Sequence, residues 1–395
     1  MRVSSRLGRL RPYLFAELNR RRDELLARGV RVLDLGIGDP DLPTPDHVVE
    51  ALCNAAYDPE THRYPPYEGT SEFREAAAER YARLGVELDP QSQVLAVIGS
   101  KEGIAHLAWA FIEPGAIALV PDPGYPVYSA QTLLCGGDVF PLPLLAERGF
   151  LPDLDAVPPE VAARARILFL NYPNNPTGAV ADLAFMERAV AFARRHDILL
   201  CHDAAYLDIS YDAPAPSVLQ VPGALDVAVE FYSLSKPFNM TGWRLGFAAG
   251  NRDAVAALAK VKNNTDSGQF TAVQRAGVAA LRETDPEFSR RMLGVYRRRR
   301  DFVVDALNAA GWAVPRPPGA FYVFAPVPAG HTSASFSTML LEQAGVVVSP
   351  GVAFGPSGEG YVRMSLTTPE PVLAEAIERI GALLRGERKE LPRKG

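Results

Sequence analysis

Three cysteines among 395 residues, Cys53, Cys135 and Cys201, form an odd set with no Cys-x-x-Cys spacing. That argues against a disulfide framework and a thiolate zinc site, and it fits a reducing, cytoplasmic setting. Long apolar runs are lacking too, because glycine, proline or a charge interrupts each one before the roughly 18 residues a membrane helix needs. Excess positive charge is absent: a net charge of −5 gives no global field for nucleic acid or an anionic membrane. The arginine-rich start has no long apolar segment and gains Glu17, Asp23 and Glu24 at helical spacing, so it reads as a native helix, not a targeting peptide. A dinucleotide fingerprint also fails, since Gly36-Ile-Gly38 has no third glycine and Asp39-Pro-Asp-Leu-Pro43 follows where a helix should begin. Neither internal repeats nor low-complexity tracts occur.

What is present is the composition of an ordinary soluble globular chain, 48% hydrophobic and 22% charged, long enough for two domains. Between residues 92 and 250, apolar β-branched runs alternate with helical patterns, the signature of an α/β fold built on a parallel sheet with helices on its faces. Strands are predicted at 94–98, 116–120, 138–142, 167–170, 198–201, 227–231 and 245–249, and helices at 72–84, 101–111, 183–195 and 253–263. A pattern from Thr271 to Ala310, notched at Asp285-Pro286, reads as two further helices. The remainder, with strand-like runs at 321–324, 345–349 and 361–365 and a helix at 370–384, predicts a smaller α+β domain. The expected division is 39–285 for the large domain, with 1–38 and 286–395 forming the small one.

In an open α/β sheet, ligands bind beyond the carboxyl ends of the strands. At those ends the chain places Gly99-Ser-Lys-Glu-Gly-Ile104, whose free N–H groups make an anion site, and Tyr125 in a proline-rich turn. Asn175 in Asn171-Tyr-Pro-Asn-Asn-Pro-Thr-Gly178, Asp203 in His202-Asp-Ala-Ala-Tyr206, and Lys236 in Ser233-Leu-Ser-Lys236 complete the set, with Arg244 eight residues further on. Singly, each has an ordinary reading as a cap, turn or surface charge. Together they supply anion donors, a flat ring, an amide, a carboxylate and an amine, which is what holding a phosphorylated aromatic aldehyde requires.

This combination, with Arg363 near the C-terminus, resembles the fold-type-I, class I/II pyridoxal-phosphate aminotransferases, from Gly36-Ile-Gly-Asp-Pro40 to Arg363. The resemblance implies a mostly parallel seven-stranded sheet flanked by helices, a smaller α+β domain, and pyridoxal 5'-phosphate as cofactor. Lys236 is implied to hold the cofactor covalently and, once released, to carry the proton between the substrate Cα and the cofactor. An ordinary lysine is nearly all ammonium at pH 7, so this role needs a site that favours the neutral amine. Asp203 is implied to pair with the pyridine nitrogen, Asn175 and Tyr206 to bond the ring oxygen, and Tyr125 to stack on the ring. Ser100, Lys101, Ser233, Ser235 and Arg244 are implied to grip the phosphate, joined by Tyr64 from the neighbouring subunit of a homodimer. Arg363, beside the Gly38 backbone, is implied to hold the substrate α-carboxylate.

The implied reaction moves an amino group between an amino acid and a 2-oxo acid, with glutamate and 2-oxoglutarate as one pair. Gly99 to His106, Leu35 to Asp41 and Asn264 to Gly268 are similar in wording to the LL-diaminopimelate branch, and Lys101 stands where an aspartate aminotransferase subgroup reads a distal carboxylate. Where the first branch has a glutamate three residues after the tyrosine matching Tyr64, this chain has Tyr67, with Glu68 beside it. Asn264 is implied as a second-subunit substrate contact. A C–S β-lyase keeps every one of these residues, and a non-catalytic effector-binding domain is the alternative from another class; the arginine run Arg297 to Arg300 reads as a solvated helix face.

Overall fold

A computed structural model describes residues 1–10, 15–387, 391 and 393, with the side chains of 15–17 also left aside. Its strands are β1 (Leu33–Asp34), β2 (Val94–Val97), β3 (Ile117–Asp122), β4 (Asp138–Pro143), β5 (Ala165–Leu170), β6 (Leu199–Asp203), β7 (Ala228–Ser233), β8 (Gly246–Gly250), β9 (Tyr322–Pro326), β10 (Val346–Val347), β11 (Ser349–Pro350) and β12 (Tyr361–Ser365). All seven strands predicted between 92 and 250 are present, joined in the order β2-β8-β7-β6-β5-β3-β4. Every pairing in that sheet is parallel except those of β8, which runs antiparallel to both neighbours. The connection from β7 to β8 contains turns and no α-helix, so the chain doubles back instead of crossing over. That doubling back keeps Ser233, Ser235, Lys236 and Arg244 at one end of the sheet.

Both faces of the sheet are covered, as the continuous apolar runs require. Leu168, Leu170, Leu200, Ala228 and Tyr232 pack on one side with Phe73 and Phe185. Their sequence neighbours Ile167, Phe169, Cys201, Val229 and Phe231 pack on the other with Ile104, Leu107 and Tyr128. The period of two along each strand therefore assigns every side chain to a layer.

Helices start where their caps dictate. Thr70, Asp182 and Asn251 each accept the backbone N–H three residues on, opening the helices Ser71–Ala82, Leu183–His196 and Arg252–Asn263. Asp285 caps Pro286–Ala309 with proline at the first helical position, so the notch in the long pattern is a true break after Thr271–Glu283. The N-terminal helix is Phe15–Ala27.

A second sheet, β11-β12-β9, is antiparallel, and β1 pairs with β10. Its core joins Val323, Val362 and Met364 to Tyr296, Leu307, Leu373 and Ile377 from the helices Pro286–Ala309 and Glu370–Leu384.

One expectation fails. Arg297 and Arg298 are exposed, but Arg299 and Arg300 are buried, at 4% and 5%. Arg299 is neutralised by a two-pronged bond to Asp41, at 2.7 and 2.8 Å. Arg300 lies over the Tyr211 ring and donates to the Pro317 carbonyl. A run of four charges on one helix spans a full turn, so half of it faces the core and needs partners there.

Candidate active site

Strand alternation turns Asp203, at the end of β6, into the same layer as the helices Ser100–Phe111 and Val127–Leu134. It is 4% exposed, and its Oδ2 accepts a 2.7 Å bond from the Tyr128 hydroxyl. Burial pushes its carboxyl upward, while the Tyr128 bond and nearby positive charges pull it back. A buried carboxylate in this state is stabilised by any cationic group brought beside it.

Lys236 lies across the same space and donates to the Gly38 carbonyl at 3.0 Å. Its amine is pushed down to about 8, chiefly by burial, with the Arg244 and Arg363 charges adding and Asp39 and Asp203 opposing. This is the shift that the covalent role demands. Gly38 is required for the approach, since a Cβ there would meet the Tyr322 hydroxyl at 2.0 Å.

The phosphate-type cradle forms at the start of Ser100–Phe111. Gly99, at φ +79°, turns the chain so that the first N–H groups of the helix open outward. A Cβ on Gly99 would lie 2.3 Å from Arg244 Nη2, so the guanidinium rests directly against this turn. Arg244 itself adopts φ 57° and donates to Thr241 O at 2.7 Å. Ser233 and Ser235 are both buried beside it.

Arg363, on β12, is fixed from several sides. It donates to Asn175 Oδ1 at 2.8 Å and to Gly36 O at 2.5 Å, and lies between the rings of Tyr322 and Phe354 at 4.3 and 4.6 Å. Its buried Nε has no hydrogen-bond partner among the described residues. An unpaired charged donor is costly, so it marks a place for an anion.

These residues surround one cleft of about 370 Å³, lined among others by Gly38, Ser100, Lys101, Tyr125, Asn175, Asp203, Tyr206, Ser233, Ser235, Lys236, Arg244 and Arg363. Another cleft of similar size, near Arg148, Asp153 and Arg195, contains none of them. Tyr64 and Asn264 do not line the cleft. Tyr64 is 88% exposed, and Asn264 Nδ2 donates to Lys260 O within its own helix end. Their loops nevertheless touch: Pro65 packs against Gly268, and Asn263 Nδ2 reaches Glu68 at 3.5 Å. Lys101 stands at the mouth, its Nζ 5.8 Å from the centre of the Tyr125 ring.

Residues 30–380 match the model of the family described as aminotransferase class I and II. The chain belongs to the class I and II aminotransferases. Its curated relatives include the LL-diaminopimelate aminotransferase of Moorella thermoacetica, 54% identical over 97% of this chain and 99% of that one. The LL-diaminopimelate aminotransferase 2 of Trichormus variabilis is 52% identical over 96% and 98%. Among solved structures, substrate-bound BacF from Bacillus subtilis superposes with a TM-score of 0.93 at 40% identity, covering 97% of this chain and 98% of that one.

Like other members, this aminotransferase is pyridoxal-phosphate dependent, and the cleft fits that group. The softened amine of Lys236, the buried carboxylate of Asp203 and the open helix start with Arg244, Ser233 and Ser235 match an aldehyde, a ring nitrogen and a phosphate.

Sequence reasoning missed Tyr128 and Tyr322. Tyr128 follows Tyr125 by three residues on the same turn and helix, a spacing that puts both near one another, with ring centres 5.9 Å apart. Tyr322 was visible only as part of a strand; its hydroxyl lies 2.9 Å from that of Tyr206.

Proposed function

We propose that this aminotransferase acts on LL-diaminopimelate with 2-oxoglutarate as the partner oxo acid, as a cytoplasmic homodimer with lysine biosynthesis as its setting. Relatives named for that activity at 50–54% identity over nearly the whole chain support the substrate. The observation that carries the reaction class is the pair that lines one cleft, Lys236 with its amine pushed down to about 8, and Arg363 with an Nε that has no partner among the described residues.

Bound in the cleft, pyridoxal phosphate supplies an aldehyde that links to amino groups and a ring that accepts electron density from the substrate Cα. Arg363 holds the substrate α-carboxylate in a two-pronged grip, already oriented by Asn175 and Gly36. Lys236, as a neutral amine, would take the Cα proton and return it to the cofactor carbon on the far side of the amino nitrogen. Asp203, steadied by Tyr128, would pair with the ring nitrogen and keep its proton in place. Tyr125 would cover the ring, Asn175, whose Oδ1 is taken by Arg363, would offer its NH2 to the ring oxygen, and Tyr206, bonded to Tyr322, would hold the same oxygen. The helix start at Ser100 and Lys101, with Ser233, Ser235 and Arg244, anchors the phosphate.

The distal end of the substrate is read at the mouth, by Lys101 and by a partner subunit's copy of the patch that carries Tyr67, Glu68 and Asn264, while Tyr64 on that patch joins the grip on the phosphate. Exposure of Tyr64 and Tyr67 at 88% and 46% on that patch supports an interface there. The division into 39–285 and a small domain from both termini belongs to the same proposal, with the cleft between them.

A panel of amino donors with 2-oxoglutarate tests the substrate. LL-diaminopimelate should give glutamate with the highest kcat/KM. A preference for aspartate overturns the specificity, and ammonia release without glutamate overturns transamination in favour of a lyase.

A further inference from the structure

His202 and Glu230 stand side by side on the parallel strands β6 and β7, on the face of the sheet opposite Asp203, and both are fully buried. His202 Nδ1 lies 2.7 Å from Glu230 Oε2, and Nε2 lies 3.1 Å from the Tyr172 carbonyl oxygen. Both neighbours are acceptors. A neutral imidazole donates from one nitrogen only, so satisfying both requires a proton on each.

Glu230 is in turn saturated with donors. The Tyr81 hydroxyl reaches it at 2.7 Å from the helix Ser71–Ala82, and Ser217 Oγ at 2.9 and 3.0 Å and the Val218 N–H at 3.0 Å come from the turn before β7. Burial alone raises its carboxyl, but the bond and charge of His202, with Tyr81 and Ser217, hold it below the usual range. Arg80, next to Tyr81, is spent on Asp208 at 2.6 Å and on the Tyr232 ring. The His202–Glu230 pair is thus closed within itself.

Its effects converge on the adjacent residue. The Asn171–Asn175 turn is tied to the end of β6 twice, by His202 gripping the Tyr172 carbonyl and by Asn171 Nδ2 donating to the Asp203 carbonyl at 2.7 Å. Asn171 Oδ1 also accepts the Asn175 N–H at 2.9 Å. Around the Asp203 carboxylate itself stand Tyr128, Tyr125, Tyr206 and Lys236, of which Lys236 is the ionisable cation. His202 and Lys236 both draw the Asp203 carboxyl downward.

We propose that His202 is a positioning residue for Asp203: donating from both ring nitrogens, clamped between Glu230 and the Tyr172 carbonyl, it holds the Asn171–Asn175 turn in register and keeps a positive charge behind the Asp203 carboxylate. Its functional reading rests on Asp203 serving the cofactor nitrogen, as proposed above.

Glu230→Gln keeps the shape and removes the charge that retains the second ring proton. Without that positive ring, Asp203 takes up a proton at higher pH, so activity is lost earlier on acidification. In the cofactor-loaded enzyme the acid limb of kcat should move up by about one pH unit, with kcat at pH 6 falling about tenfold and KM for the amino donor nearly unchanged. His202→Gln should move the limb the same way. Long-range 1H–15N spectra of the wild-type protein give a reading that needs no variant, since a buried histidine with both nitrogens protonated at pH 7 is expected. A limb that stays in place while only thermal stability falls, or a wild-type His202 with one bare nitrogen at pH 7, overturns the proposal. Absence of transamination in the wild type instead overturns the underlying reading, and the nitrogen spectrum still decides the state of His202.

Discussion

The wall of the cleft and its rim are built differently. Asp203, Asn175, Ser233, Ser235 and Arg363 are buried, and Asp203, Asn175 and Arg363 are each held by a side-chain bond of 2.7 or 2.8 Å from or to the same chain. Tyr64, Tyr67, Lys101 and Asn264 are exposed on loops or a helix start. Chemistry common to a whole family needs rigid placement, whereas the proposed reading gives the selection of one amino acid over another to positions that pack against little in their own chain. In the proposed homodimer, the wall is complete within one subunit and a second subunit would complete the rim.

The sharpest break in that contrast comes at Lys236. Lys236→Ala should lower turnover by roughly 10⁴-fold or more, and remove the visible absorbance of covalently held cofactor. In the unloaded wild type, the rate of cofactor capture should rise with pH and level off above about 8, because the neutral amine is the reacting form. Next is Arg363→Ala, which removes two charged bonds to the substrate carboxylate. A drop in kcat/KM of about 10²- to 10³-fold is expected in steady-state assays, borne mostly by KM.

Tyr128→Phe probes the wall more gently. Loss of its bond leaves the Asp203 carboxyl easier to protonate, so kcat should fall about tenfold with an acid limb moved upward and little change in KM. Smallest is Tyr64→Phe at the rim, where one exposed hydroxyl is lost. Cofactor affinity, followed by equilibrium dialysis, should weaken only a few-fold, and the acid limb should stay where it is.

How far these features were legible in the chain follows the same line. Runs such as Ile167 to Leu170 and Val227 to Phe231 announce buried strands because both their faces are apolar, and the caps Asp182 and Asp285 mark helix starts. Lys236, Asp203 and Arg363 were visible because each polar group follows or interrupts such a run. Pairings between strands were not. That His202 meets Glu230 depends on the register of β6 against β7, and that Arg299 meets Asp41 depends on how a helix seats on the small sheet. Neither is written in local periodicity. Tyr322 was hidden for a similar reason, since only the approach of Gly38 reveals its hydroxyl as part of the cleft.

Subunit complementation tests the division between wall and rim most directly. Lys236→Ala destroys the wall of its own site but keeps an intact Tyr64 and Asn264 to lend. A Tyr64→Ala, Asn264→Ala double variant keeps the wall and lends nothing. Co-expressed, the two should form hybrid dimers with one fully native site, restoring activity to about a quarter of wild type when subunits pair at random in a two-fold dimer. Activity no greater than the sum of the two separate variants would contradict a site shared between subunits.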